Sequence, residues 1–96
     1  MPGGEDDTLS FSADVIRVSV RLGQTLHPIA GQARVSLILR SGSTVGDVAD
    51  MTAHRYPELG DALRSALSIV DGAQAERERK LSDGDEVAFL APTAGG

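Results

Sequence analysis

The sequence predicts an α+β roll, a mixed sheet packed on one main helix plus a short second helix. Three observations carry this. Residues 15–22 alternate strictly between apolar and polar, the period of a strand with one buried face. Val45, Val48, Ala49, Thr52 and Tyr56 recur at the spacing of one helical face. The element order, β-β-α-(short α)-β-β-β, has pieces too short for a βαβ array, so a sheet folded over one helix buries the apolar faces most simply.

The first strand places Ile16, Val18, Val20 and Leu22 inward and Arg17, Ser19 and Arg21 outward. Residues 23–32, with two glycines and a proline, read as a loop. A second strand over 33–40 turns Val35, Leu37 and Leu39 inward, and antiparallel pairing with the first is expected. After Ser41-Gly42-Ser43, Thr44 is a helix N-cap with Asp47 three residues on, where an acid suits the exposed amides. Pro57 disfavours helical geometry at Tyr56 and ends the helix. A second helix over 58–65 buries Leu59, Ala62 and Leu63. A third strand covers 66–70, Asp71-Gly72 is a turn, and a short edge strand covers 74–77. Ser82-Asp83-Gly84-Asp85 is a second turn, which launches the last strand over 85–91.

Composition bounds the function. Ninety-six residues make one domain. With three aromatics (Phe11, Tyr56, Phe89) the core must come from Val, Leu, Ile and Ala, leaving little room for an enclosed substrate cavity. A net charge of −5 argues against nucleic acid and anionic membranes and suits a basic protein surface. There is no cysteine, so disulfides, thiolate metal sites and sulfur or acyl transfer through the chain's own thiol are excluded. Residues 1–10 lack an apolar run and are not a signal peptide, and no stretch is long enough to span a bilayer, so a cytoplasmic protein is the default. Residues 1–14 form an acidic segment expected to be flexible, 15–91 the domain, and 92–96 a flexible tail.

That tail is the most informative segment. It ends in Ala94-Gly95-Gly96 directly after a strand. Pro92 cannot extend a ladder and so releases the chain. Thr93 and Ala94 are small, and Gly95 and Gly96, without a Cβ, fit a narrow channel ending in a free carboxylate. Other features have blander readings. His27 and His54 are lone surface histidines with no partners for a metal or catalytic set. Ser41 to Thr44 lacks the glycine spacing and lysine of a phosphate loop. Glu76 to Lys80 is a solvated edge. Arg17, Arg21, Arg34 and Arg40 form either a basic patch on the sheet's outer face or pairs with acids. Val87, Phe89 and Ala91 face inward, while Ala88, Leu90 and Ile38 face outward as an apolar strip beside the tail, a partner interface to which Phe89 is also assigned.

Lys80 to Gly96 resembles the end of the ubiquitin-like sulfur carriers: an L-x-D-G-D-E-V turn and strand, a proline after it, and a terminal Gly-Gly at a fixed distance. It is nearest to the small subunit of molybdopterin synthase, and is also similar to the carriers for thiamine and cysteine synthesis. The first strand, the Thr44 cap, Arg55-Tyr56-Pro57 and the Asp71-Gly72 turn agree, so the resemblance covers about 15–96. Ala91 departs from it, standing where many relatives have proline. The resemblance implies a ubiquitin-like β-grasp fold. It also implies a mechanism in which a ubiquitin-activating-type adenylyltransferase uses ATP to adenylate Gly96. A sulfur donor then leaves a thiocarboxylate, which passes its sulfur to an acceptor enzyme. Gly95, Ala94, Thr93 and Pro92 would thread into the partner. The chain itself would bind no cofactor or metal, would not be an enzyme, and would be monomeric when free. The acceptor pathway stays open, with molybdopterin slightly favoured. Two other classes compete: a modifier joined through Gly96 to target lysines, and a passive interaction module.

Overall fold

The computed structural model describes residues 14–92. Five strands form one mixed sheet: β1 (Val15–Leu22), β2 (Arg34–Arg40), β3 (Leu67–Val70), β4 (Ala73–Gln74) and β5 (Glu86–Leu90), in the spatial order β2-β1-β5-β3-β4. Three helices, α1 (His27–Ala30), α2 (Val45–Arg55) and α3 (Gly60–Ser65), and a 3₁₀ turn at Pro57–Leu59 complete the fold.

The pairing follows from the alternation. β1 and β2 are antiparallel from Val15 opposite Arg40 to Arg21 opposite Arg34. β5 returns to lie parallel to β1, with Ser19 opposite Glu86 and Leu22 opposite Phe89, and pairs antiparallel with β3. Every inward residue expected on β1, β2 and β5 is buried except Ala91, which is half-buried just past the end of β5, and Val20, Val87, Val45, Val48 and Leu59 are fully enclosed. Thr52 joins them and satisfies its hydroxyl by donating to the Val48 carbonyl at 2.7 Å. Phe89, 1% exposed, is the largest fully buried side chain. Truncating it to alanine carries the ~3–5 kcal/mol penalty of a large cavity.

Both turns form as expected. Asp71 (φ 54°) and Gly72 (φ 77°) make the two-residue hairpin between β3 and β4, where positive φ at both positions matches the sheet twist. Gly84 (φ 90°) lets the second turn dock on β1: its N–H donates to the Arg17 carbonyl at 2.8 Å, and the Arg17 N–H donates to Asp83 Oδ1 at 2.8 Å.

Three expectations need correction. The 23–32 loop contains α1. Leu26 is buried at 2%, the Leu26 and His27 amides both donate to the Gly23 carbonyl, and Gly31 (φ 78°) closes the turn onto the His27 carbonyl. The helix expected over 58–65 is split, because Pro57 opens a 3₁₀ turn before α3 begins at Gly60. The edge strand expected over 74–77 is only Ala73–Gln74. Residues 77–79 are drawn away to α2, where the Val45 and Gly46 amides donate to the Arg79 and Arg77 carbonyls at 2.9 Å each. With the Thr44–Asp47 capping box, these bonds satisfy the orphan amides of the helix. No helix among the described residues is long and apolar enough to cross a membrane.

Candidate functional site

The candidate site lies where β5 ends. Its last ladder pair is Leu90 with Leu67, and on its other side the Gly23 amide donates to the Phe89 carbonyl at 3.0 Å. Ala91 still packs against the core, and Pro92 follows with no N–H to offer. Thr93, Ala94, Gly95 and Gly96 lie outside the described residues, as do residues 1–13 of the acidic segment.

On the outer face beside this exit, Leu90 (40% exposed) and its ladder partner Leu67 (38%) are joined by the half-buried Ala88 and Ile69, the next pair on the same face. Leu67 and Ile69 escaped the sequence reading because β3 inverts the usual rule. Ser68 is the buried residue between them, while the larger apolar side chains face out. An outward apolar pair flanking an inward serine is the signal that could have found them. Gly23 leaves this patch open. A Cβ there would lie 3.0 Å from Leu90 Cδ2 and 3.3 Å from the Phe89 carbonyl oxygen.

Two members of the expected interface do not belong to the patch. Phe89 is buried, because its position on β5 points into the core between Leu22 and Ser68, so its side chain is closed to a partner. Ile38 is exposed at 61% but sits on β2 opposite Arg17, whereas Leu90 lies past the other end of β1, level with Gly23. The parallel register of β5 on β1 sets them toward opposite ends of the sheet.

The β1–β2 half of the face is basic. Glu86 lies between Arg21 (4.0 Å) and Arg34 (3.6 Å), which are opposite each other across the pair. Arg17 and Arg40 carry no ion pair among the described residues. Both earlier alternatives therefore hold in part, two arginines sharing one acid and two left free. All these groups are well exposed, so each contact contributes little on its own. His54 lines a shallow open groove between β2 and α2 with Leu39, Asp47 and Met51, while His27 opens α1, its amide donating to the Gly23 carbonyl. No cluster of three or more metal-ligating side chains occurs among the described residues.

A five-stranded mixed sheet in this order, with its first and last long strands parallel at the centre and one main helix across it, defines a ubiquitin-like β-grasp protein. The chain belongs to the ThiS family, whose model matches residues 20–96. It is 35% identical over 63 residues to the molybdopterin synthase sulfur carrier subunit of Mycobacterium tuberculosis, covering 66% of this chain and 76% of that one. It is similar in structure to small archaeal modifier protein 1 of Methanosarcina acetivorans (TM-score 0.70, 27% identity, 85% and 98% of the two chains). The fold also matches a chain in the complex of subunits 1 and 2 of the molybdopterin-converting factor of Helicobacter pylori (TM-score 0.62, 16% identity, 84% and 100%).

Proposed function

We propose that this chain is a sulfur carrier whose working group is the carboxylate of Gly96. The observation that carries the reading is positional. The sheet ends at Leu90, the family match continues from there through Gly95-Gly96, and an exposed apolar patch lies beside that exit. Membership of the ThiS family and the likeness to a molybdopterin synthase sulfur carrier subunit support it.

In the proposed cycle a ubiquitin-activating-type adenylyltransferase docks on the patch and receives the tail. A Gly96 carboxylate oxygen attacks the α-phosphorus of ATP, and pyrophosphate leaves. Hydrosulfide from the sulfur donor then attacks the acyl carbon, and AMP, a far better leaving group than oxide, departs with the bonding electrons to leave the Gly96 thiocarboxylate. The thiocarboxylate delivers sulfur to an acceptor enzyme, the large subunit of a molybdopterin synthase being favoured by the relatives. The chain contributes the acyl group and the docking surface; nucleotide, metal and catalytic base belong to the partners. An ATP-dependent cycle suits a cytoplasmic protein.

The test is an intact mass after incubation with the cognate activating enzyme, ATP and a sulfur source. The expected product has one oxygen replaced by sulfur at Gly96. An unchanged mass with an active enzyme, or the same change in a chain lacking Gly96, overturns the proposal. The likeness to a small archaeal modifier protein favours a second reading, conjugation of Gly96 to target lysines. An isopeptide adduct in the same experiment would select it.

A further inference from the structure

The chain carries nine Lys and Arg side chains, yet Lys80 is its single lysine, and it has no cysteine. Arginine stays protonated and is not an acyl acceptor, whereas a lysine amine is a nucleophile once it loses its proton. Against an activated acyl group at Gly96, the chain therefore presents no thiol and one ε-amine.

The fold sets that amine at the far end of the sheet. Lys80 is bridged to Thr44, with the Leu81 amide on the Ser43 carbonyl and the Val45 amide on the Arg79 carbonyl, both at 2.9 Å. This is the N-terminal end of α2, beyond the Val15–Arg40 pair that opens β1. The tail leaves at the opposite end, level with Gly23. At the usual strand rise, the length of β1 from Val15 to Gly23 is about 26 Å. Gly96 is six residues past Leu90. A fully extended chain doubled straight back from Leu90 would cover only about 21 Å. Lys80 is bridged to Thr44 at the start of α2, so the two meet only if the tail doubles straight back fully extended and the lysine side chain stretches toward it.

We propose that the arginine-for-lysine bias and the position of Lys80 protect the activated terminus from the chain's own lysine ε-amines. This rests on the carrier reading above. The reaction avoided is specific. A lysine Nζ would attack the Gly96 carbonyl carbon and form a C–N bond. The C–O bond to AMP, or the C–S bond of a thioester, would break with the leaving group taking the electron pair, and the ammonium proton would pass to water. The result would be a closed, sulfur-free chain. Arginines near the exit, Arg21 and Arg64, supply positive charge there without that hazard.

The test uses the full chain bearing a thioester at Gly96, incubated alone at low concentration and followed by intact mass and peptide mapping. It needs no partner, so its failure is distinct from failure of the carrier reading, which the enzymatic experiment reports. The wild-type thioester and Arg40→Lys, a charge-conserving change at the far end, should decay by hydrolysis at the same slow rate. Arg64→Lys, which conserves charge at the exit end, and Gln24→Lys, exposed beside Gly23, should lose thioester several-fold faster at a rate independent of protein concentration. The product should be an internal amide mapped to residue 64 or 24. A concentration-independent adduct at Lys80 in the wild type overturns the proposal. So do Arg64→Lys and Gln24→Lys thioesters as long-lived as the wild type's.

Discussion

The two ends of the sheet are built on opposite terms. At the far end, every strand is tied off. The Thr44–Asp47 capping box, the Arg77 and Arg79 carbonyls on the first amides of α2, and the Asp83–Gly84 turn on Arg17 leave the backbone well paired. At the exit end, the chain stops pairing at Leu90, a glycine leaves the neighbouring surface bare, and leucines face solvent. One end holds the roll together and the other carries the proposed docking surface. Substitutions should therefore separate by location: stability at the far end, activation at the exit.

The largest expected effect is at the exit. Leu90→Glu puts a charge in the centre of the apolar patch, where partner contacts would be desolvated. It should lower kcat/KM for activation by the cognate adenylyltransferase at least about tenfold, while urea denaturation stays within ~0.5 kcal/mol of wild type, because the side chain is already exposed. Ile38→Glu, toward the opposite end, should leave kcat/KM almost unchanged. Equal losses in both variants would mean that the partner covers the whole face and that the exit patch is not privileged. Thr44→Ala is the converse case. It removes the hydroxyl that accepts from the Asp47 amide at 3.2 Å and half of the capping box. A stability loss of about 1 kcal/mol is expected, with activation per folded molecule unchanged. A fall in kcat/KM at temperatures where the variant is fully folded would contradict the division between the ends.

Gly23→Ala acts at the exit by crowding. The added Cβ meets a movable leucine methyl at 3.0 Å but also a backbone carbonyl at 3.3 Å. Leu90 must turn aside and the β1–β5 junction must give by a few tenths of an ångström. A few-fold loss in kcat/KM is expected, with a stability change below ~1 kcal/mol. Wild-type kinetics together with an unmoved Leu90 would show that the bare surface at Gly23 has no part in docking.

Much of this architecture was legible because it is local. The alternation of 15–22 fixes which face of β1 is buried. Thr44 and Asp47 announce the cap, and Asp71-Gly72 and Asp83-Gly84 announce the turns. What escaped depends on distant partners. α1 exists because Leu26 finds the core and the Gly23 carbonyl accepts two amides. β4 is short because α2, almost thirty residues earlier, needs the carbonyls of 77 and 79. The extent of the outward strip likewise depends on distant partners. Alternation shows that Ile38, Ala88 and Leu90 all face out, but only the register between β1 and β5 shows that Ile38 stands apart and that Leu67 and Ile69 take its place. The Gly-Gly end was read from the sequence and lies outside the described residues.

The smallest expected effect tests the basic half of the face. Glu86→Gln removes the acid shared by Arg21 and Arg34. Stability should move by less than ~0.5 kcal/mol, since exposed pairs are screened and side-chain entropy offsets their attraction. Association should change more than stability, because long-range charge acts on encounter. Without Glu86 the β1–β2 half presents Arg17, Arg21, Arg34 and Arg40 uncompensated beside the apolar patch. If the adenylyltransferase meets this half with acidic side chains, kon in stopped-flow binding should rise about two- to threefold at low salt. The gain should vanish as the Debye length shrinks below ~8 Å near physiological ionic strength and above. An unchanged kon, or a gain insensitive to salt, would show that the arginines lie outside the docking footprint and that the apolar exit end carries recognition alone.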